Sequence, residues 1–376
     1  MRRACAAKTG PVNPMQTTIH ITPDQFTTQE TPLVQQGQLC ASLFRYPSGV
    51  CGLRLRNALG DLMLLPYQGQ QIWDASMRGR RLTMKSMFDA PIATRDFLSS
   101  YGGFLLHCGA TGMGVPGKDD KHPLHGELHS APYQGASVLL GADERGAYIG
   151  LTGSYRHTQA FACNYVATPL VKLYADSSVF CVEMTIHNQK ASAMPLMFLE
   201  HINFLPVDGA RLAQTVICDP QNMRVRENPG ASVDGAPGHD ALVRLLLREP
   251  QHHLVFKPGQ AYDPEVVLYL RYLADASGWA RTLQIHPDGS SDLVRHRPQQ
   301  LSHGVRWLCR TPDQDAFGVE PCTAEVDGFS AERAKGHVLT LAAGAVFRSA
   351  LELGVLDPGQ TRHEESLIRQ TLLARQ

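Results

Sequence analysis

The chain has 376 residues, and its 35 Lys and Arg balance 35 Asp and Glu, so the formal net charge at pH 7 is zero. This balance, without an evident basic face, argues against nucleic acid or an anionic membrane as the main partner. The longest apolar runs, such as residues 62–65, are far too short to span a bilayer. The length allows a substantial core.

The nine cysteines are scattered and odd in number, without a CxxC pair. This pattern argues against a disulfide framework or a zinc finger and favours reduced thiols in a cytoplasm. Residues 1–15 are basic but lack the apolar region of a signal peptide. We predict a disordered leader over residues 1–15, a single domain over residues 16–376, and a cytoplasmic location.

From Gln16 onward, short runs rich in Val, Ile, Leu, Tyr and Phe alternate with Gly, Pro, Asp and Asn. Such runs predict strands bounded by turns, and their spacing predicts an all-β sandwich or barrel. The predicted strands are 40–46, 51–55, 137–140, 148–151, 170–174, 179–186, 196–201, 241–247, 253–256, 266–273, 283–286, 303–309, 317–320, 338–341 and 345–353. Residues 92–100 predict one or two helical turns, residues 228–239 a surface loop and residues 364–375 a terminal helix.

Residues 101–133 concentrate glycines, charges and histidines, which is unusual for a core strand or a surface helix. Glycine permits tight turns and close approach to a ligand, and histidine titrates near neutral pH. We interpret the stretch as one wall of a polar pocket. Its histidines could bind a polar ligand, could be loop residues bonded to backbone, or could bind a metal, although no spacing specifies a third metal ligand. They are His107, His122, His125 and His129.

Two later segments carry further candidates for chemistry. In residues 199–209, His201 and Asn203 are two apart and would share one face of a strand. In residues 317–323, Glu320 precedes Pro321 at a predicted strand end, and glutamate is rarely buried unless it is paired or functional. A buried histidine or a structural glutamate would explain each alone. Together, an imidazole and a carboxylate across one pocket suffice to move protons between two oxygens.

The order of these motifs resembles the aldose 1-epimerase (galactose mutarotase) superfamily, and in particular a less characterised branch of unknown function. The motifs are Leu-His-Gly at 124–126, His-Ile-Asn-Phe at 201–204 and Gly-Val-Glu-Pro at 318–321. A Cys-Gly pair at 108–109 and a Gly-Val-Pro turn at 114–116 precede the first motif, as in that branch. The similarity extends from about Gly60 to Leu356.

The resemblance implies a supersandwich of large antiparallel β-sheets with a sugar site on a concave face. It also implies an isomerase that interconverts sugar anomers in carbohydrate metabolism, without cofactor or metal. Glu320 matches the general base on the anomeric hydroxyl, and His201 matches the general acid on the ring oxygen. We further expect the nearby carboxylate to raise the pKa of His201.

The resemblance and the local composition also suggest substrate-binding residues. His125 matches the histidine that holds the sugar near its ring oxygen, and Asn203 is a candidate hydroxyl ligand. Lys118 or Lys121 lies nearest to the role of an arginine that better-known mutarotases carry. His107 belongs to the same polar stretch, and Trp73 could stack on a sugar face, although an aromatic residue is more often part of a core. The lysines would suit an acidic or phosphorylated sugar.

Two alternatives stay open. One is a metal-dependent sugar isomerase that uses the four histidines of residues 101–133. The other is a non-catalytic carbohydrate-binding protein, which would not need both proton-transfer groups. The expected partner is a small-molecule sugar or sugar derivative, with no nucleic acid and no membrane, and the sequence leaves a homodimer open.

Overall fold

The computed structural model describes residues 16–226 and 237–375. The predicted leader over residues 1–15 lies outside the described residues, as does most of the predicted surface loop at 228–239. Among the described residues, no helix combines the length and the apolar character that a membrane crossing requires.

The described residues form mainly strands. The first eleven are β1 (Thr17–Ile21), β2 (Thr31–Gln36), β3 (Leu39–Arg45), β4 (Cys51–Asn57), β5 (Gly60–Leu64), β6 (Ile72–Met77), β7 (Arg80–Arg81), β8 (Leu105–Ala110), β9 (Gly135–Asp143), β10 (Gly146–Gln159) and β11 (Cys163–Tyr174). The others are β12 (Val179–Asn188), β13 (Met194–Phe204), β14 (Arg211–Gln214), β15 (Met223–Val225), β16 (Tyr262–Leu270), β17 (Ala280–Ile285), β18 (Ser291–His296), β19 (His303–Arg310), β20 (Asp315–Cys322), β21 (Leu339–Leu341) and β22 (Val346–Leu356). The helices are α1 (His239–Arg248), α2 (Phe329–Ala334) and α3 (Pro358–Leu373), with short 3-10 helices at Pro23–Gln25 and Pro250–Leu254.

The strands form two large sheets in which neighbours pair antiparallel. The smaller sheet has nine strands in the order β1-β9-β10-β11-β12-β22-β18-β17-β14. The larger sheet has thirteen, in the order β15-β16-β19-β20-β13-β8-β6-β5-β4-β3-β2, with β21 on β13 and β7 on β6. This all-β architecture confirms the predicted fold class.

The main core lies between the two sheets. Alternate residues of β12, including Phe180, Val182 and Met184, are at most 1% exposed and pack with Leu53, Phe104 and other residues of the larger sheet. This period of two is the pattern of a strand that buries one face. Each such side chain contributes about 1.5–3 kcal/mol through burial.

A second apolar cluster covers the outer face of the larger sheet. It includes Leu106 of β8, Leu199 of β13 and Val305 of β19, together with Phe97 and Tyr101 from the irregular segment before β8. On the smaller sheet, Ile368 of α3 packs in a separate cluster of β17 and β18 residues. The candidate site lies in the second cluster.

Most predicted strands are confirmed, but three segments differ. Residues 241–247 belong to α1, since a short apolar run does not distinguish a strand from a buried helix. Residues 253–256 overlap the 3-10 helix Pro250–Leu254. Residues 92–100 form irregular backbone instead of helical turns. The terminal helix is confirmed and begins earlier, at Pro358, where the Asp357 side chain accepts hydrogen bonds from the backbone N–H groups of Gly359 and Gln360.

Candidate active site

The imidazole of His201 and the carboxyl group of Glu320 lie side by side on the outer face of the larger sheet. Strands β13 and β20 pair with Ile202 opposite Val319, so His201 lies opposite Glu320 and both side chains share one face. The distance from His201 Nδ1 to Glu320 Oε1 is 3.4 Å, and the residues are 4% and 2% exposed. The sheet therefore brings together two groups that are far apart in sequence.

Asn203 holds the His201 ring in one orientation. Its Nδ2 donates to the Gly103 carbonyl oxygen at 3.0 Å, which directs Oδ1 towards His201 Nδ1 at 2.8 Å. Because Oδ1 accepts a hydrogen bond, Nδ1 carries the proton and Nε2 of a neutral ring is unprotonated. Asn203 is fully buried with both ends of its amide engaged. The amide therefore holds the imidazole, and the role of Asn203 as a ligand of a sugar hydroxyl stays a prediction.

Tyr101 provides a hydroxyl group next to the same imidazole. Its O–H donates to Asn203 Oδ1 at 3.0 Å, and its oxygen lies 3.2 Å from His201 Nε2. Burial, and after it the Glu320 carboxyl group, raises the pKa of Tyr101 well above the ordinary value, so the phenol keeps its proton. Tyr101 was not among the predicted site residues, although it begins the glycine- and histidine-rich stretch.

His125 reaches the cluster from a tight turn of the Leu-His-Gly motif. His125 and Gly126 have φ values of 56° and 82°, and a Cβ atom at Gly126 would lie 2.3 Å from the Gly112 carbonyl oxygen. Only glycine fits there without strain. The turn brings the His125 ring centroid to 5.4 Å from that of His201. The buried Nδ1 of His125 has no hydrogen-bond partner among the described residues.

The Phe97 ring closes the cluster from outside. It lies 4.7 Å from the Tyr101 ring, 4.7 Å from His125 and 5.0 Å from His129, measured between centroids. Phe97 is only 6% exposed, and Glu320 beneath this layer is 2% exposed. The Phe97 ring therefore forms part of the layer that covers the Glu320–His201 pair.

Trp307 and Glu265 form the wall on the side of β16. The Trp307 ring centroid is 5.5 Å from Tyr101 and 5.8 Å from His201. Its Nε1 donates to the Glu265 carboxylate at 2.7 Å. A carboxylate and an indole side by side form a polar and aromatic surface of the kind that suits a sugar.

Burial shifts the pKa values of Glu320 and His201 in opposite directions. The pKa of Glu320 is raised well above the ordinary value by burial and then by Glu265, against a lowering by Arg306. The pKa of His201 is lowered to about 3 by burial, against a raising by Asn203. The expectation that the carboxylate would raise the pKa of His201 is wrong, because the loss of hydration on burial outweighs the hydrogen bond with Asn203 and lowers this pKa. The resting pair is therefore a neutral carboxyl beside a neutral imidazole.

Comparison with solved structures identifies the architecture. The chain superposes on the crystal structure of a "putative aldose 1-epimerase" from Klebsiella pneumoniae with a TM-score of 0.79 and 15% identity, covering 95% of this chain and 96% of that one. For a galactose mutarotase-like protein from Clostridium acetobutylicum, the TM-score is 0.58 and the identity 12%, over 86% of this chain and 100% of that one. For one from Lactobacillus casei, the TM-score is 0.51 and the identity 14%, over 81% of this chain and 99% of that one. The fold is galactose mutarotase-like.

Sequence comparison gives less information about the protein than the comparison of structures. Residues 48–229 match a family model described as a domain of unknown function (DUF4432). No curated protein matches the sequence. The predicted mutarotase-like supersandwich is thus confirmed, whereas identities of this size leave the activity to be argued from the site.

Three predicted binding residues lie away from the cluster of this mutarotase-like fold. His107 faces the core between the sheets, where its Nδ1 lies 2.7 Å from Glu200 Oε2 and both side chains are fully buried. The correction follows from strand alternation, since Leu106 and Cys108 of β8 face the site and His107 cannot. Lys121 is exposed on its loop. Trp73 packs in a separate cluster with Val50 and Leu65.

The four histidines proposed as metal ligands in the isomerase alternative do not converge. His107 is on the inner face of the sheet, and His122 accepts a hydrogen bond from the Phe329 backbone N–H. Among the described residues, the group with metal-like spacing is Glu325, Glu332 and His337. The Lys335 ammonium group forms ion pairs with Glu325 and Glu332, at 2.8 and 2.7 Å, and so takes the position that a metal ion would need.

Proposed function

We propose that this protein is an aldose 1-epimerase-like isomerase that interconverts the α and β anomers of a sugar. The observation that carries the proposal is the 3.4 Å approach of His201 Nδ1 to Glu320 Oε1 on one sheet face. Glu320 Oε1 and His125 Nδ1 support it, because neither atom has a hydrogen-bond partner among the described residues and both could therefore bond a substrate. The shared fold makes a sugar the first substrate class to test.

In the proposed reaction, the Glu320 carboxylate takes the proton of the anomeric hydroxyl while protonated His201 gives a proton to the ring oxygen. The O1–H and C1–O5 bonds break, C1=O1 forms and the open-chain aldehyde results. Rotation about C1–C2 and reclosure, with both protons returned, give the other anomer. Each of the two proton transfers is expected to contribute about 10²–10⁴-fold.

The two protonation states of the pair hold the same number of protons. The resting form has a carboxyl and an imidazole, and the reactive form has a carboxylate and an imidazolium. The ratio of the two forms is therefore independent of pH. Activity is lost only when the pair as a whole binds one more proton or releases one. Asn203 supports this role because it fixes the ring so that Nε2 is the atom free to exchange protons.

The test is NMR exchange spectroscopy, with polarimetry, on a panel of neutral, uronic and phosphorylated sugars. Glu320→Gln keeps the size of the side chain, and His201→Asn keeps an N–H group close to the position of Nδ1; each removes a proton-transfer group. We expect the exchange rate on the best sugar to fall by at least about 100-fold in each, with unchanged circular dichroism. Wild-type rates in both variants would refute the assignment.

Matched controls separate chemistry from general damage. Glu144→Gln changes an exposed carboxylate, and His187→Asn changes a histidine of β12 on the other sheet. Both should exchange anomers at the wild-type rate. The carbohydrate-binding alternative makes a different prediction: a sugar would bind to wild type and to Glu320→Gln alike, and neither would accelerate anomer exchange.

A further inference from the structure

Arg306 is a fully buried guanidinium without a carboxylate partner among the described residues. It lies on β19 and faces the core between the sheets. Its donors go to neutral oxygens: Nε to Gly318 O at 3.0 Å, and Nη2 to Gln214 Oε1 at 3.1 Å and to Tyr272 Oη at 3.2 Å. Its Nη1 has no partner within residues 16–226 and 237–375. Burying an uncompensated charge is costly, so its position calls for an explanation.

The guanidinium lies directly behind the Glu320 carboxyl group. Arg306 is opposite Val319 in the β19–β20 pair, and Glu320 is the next residue, on the other face of the sheet. Gly318 links them: its carbonyl accepts the Arg306 Nε–H, and a Cβ atom built on it would lie 2.5 Å from Glu320 Oε1. The covalent geometry of that single residue keeps Nε and Oε1 within about 9 Å of each other.

Few other charges face Glu320. Burial raises the pKa of Tyr101, Cys108 and Cys322 well above their ordinary values, so these groups are neutral at pH 7. His201 from β13 is neutral for the reason given above. Two groups act on the pKa of Glu320 in opposite directions: Glu265 from β16 on the outer face raises it, and Arg306 from β19 on the inner face lowers it.

We propose that Arg306 is a positioning residue for the acid–base pair, a fixed positive charge behind the sheet that stabilises the carboxylate form of Glu320 against the opposing charge of Glu265. The inference rests on the proposed function, because the carboxylate form is the one that takes the anomeric proton. This role would explain why Arg306 has no carboxylate partner. A carboxylate next to Arg306 in the core would cancel the electric field of the guanidinium at Glu320. The partners of Arg306 are accordingly neutral.

The test measures the titration of Glu320 directly. The ¹³C signal of its carboxyl group, assigned by its loss in Glu320→Gln, is followed against pH in protein labelled at the glutamate side-chain carboxyl. Arg306→Met removes the positive charge, and we expect the Glu320 midpoint to move up by about one pH unit. Glu265→Gln removes the opposing charge and should move the midpoint down. Arg306→Lys should leave it near the wild-type value.

A second route avoids the risk that Arg306→Met does not fold. Gln214→Glu keeps the 3.1 Å contact with Arg306 Nη2 and neutralises the guanidinium in place. This variant should raise the Glu320 midpoint and lower the anomer exchange rate several-fold while the chain stays folded. A midpoint that stays fixed in Gln214→Glu and in every folded Arg306→Met sample would overturn the inference.

The titration separates this inference from the proposed function. If no sugar is anomerised by wild type, the proposed function fails, and with it the catalytic meaning of Arg306, even if the midpoints move. If sugars are anomerised but neither the Glu320 midpoint nor the exchange rate changes in Arg306→Met and Gln214→Glu, only the inference fails. Moving midpoints with parallel changes in rate would support both.

Discussion

Two polar clusters lie on the outer face of the larger sheet, and they are built in opposite ways. In the ion-pair cluster, Lys335 bonds Glu325, Asp327 and Glu332 at 2.8, 2.6 and 2.7 Å, and Glu332 also pairs with His337 at 2.7 Å. In the acid–base cluster, made up of Tyr101, His125, His201, Asn203 and Glu320, no cationic side chain bonds the carboxyl group, and its Oε1 has no hydrogen-bond partner among the described residues. One cluster is electrically compensated and the other is not.

The difference appears in the pKa values of one glutamate from each cluster. Lys335 and Arg224 outweigh burial at Glu325, so its pKa is lowered, whereas burial at Glu320 is not outweighed and its pKa is raised. A compensated carboxylate is tied to its partners and cannot exchange protons easily. An uncompensated one is costly for the fold and is available to a ligand.

This contrast predicts opposite effects on stability, and these are the largest differences we expect. Glu332→Gln removes a fully buried carboxylate that bonds Lys335 and His337, and it should cost about 2 kcal/mol of unfolding free energy, because Lys335 still has Glu325 and Asp327. Glu320→Gln should cost nothing at pH 8 and should even stabilise the chain. The measurement is urea unfolding of both variants beside wild type.

The sign at Glu320 follows from its raised pKa. The folded state holds this proton more tightly than the unfolded chain, so stability falls as pH rises from the unfolded value, about 4.3, towards the folded one. Glutamine cannot ionise, so the variant escapes that loss. Equal destabilisation by both substitutions would mean that the two clusters are built alike and would remove the distinction.

The sequence predicts much of the fold because alternation of apolar residues reflects burial of one strand face. It also marks His201 and Glu320, since each interrupts an apolar strand with a group that seldom lies there unpaired. It does not place His107, because a Gly- and His-rich stretch does not reveal which residues of β8 face inward. Both catalytic candidates lie within strands β13 and β20, not at strand ends, and β20 continues through Pro321 to Cys322.

The closing layer of the site could not be predicted from local pattern. Phe97 lies in a segment with helix-like composition that tertiary contacts hold as irregular backbone. Trp307 alternates with Val305 and Cys309 as a core residue would, and only the position of β16 shows that it meets Glu265. The positions of such residues in the site are set by contacts between segments that are far apart in sequence. The periodicity of a single sequence does not reveal these contacts.

The pH dependence of the reaction sharpens the comparison within the acid–base cluster. If the pair works as a one-proton unit, kcat/KM on a neutral sugar should not change near pH 6.5, because burial lowers the pKa of His201 to about 3 and raises that of Glu320. An exposed histidine acting alone would give a change near pH 6.5. NMR exchange rates, corrected for the uncatalysed reaction, provide the profile, and an inflection near 6.5 would show that the histidine titrates independently.

The smallest effect we expect comes from opening the closed cluster. Phe97→Ala removes the ring that covers His125 and Tyr101, so a sugar no longer has to displace it. The apparent dissociation constant for a sugar should fall by about three- to tenfold, since the competent open state is more populated. Trp307, 5.5 Å from Tyr101, gives the fluorescence signal for the titration.

The direction of this change distinguishes two roles for the ring. If Phe97 is a cover, its loss tightens binding, whereas if it is a platform on which the sugar stacks, its loss weakens binding. Leu98→Ala is the control, because Leu98 is the next residue of the same segment and is 67% exposed. It should leave the dissociation constant unchanged, so a shift in Phe97→Ala alone can be assigned to the ring that separates the uncompensated cluster from solvent.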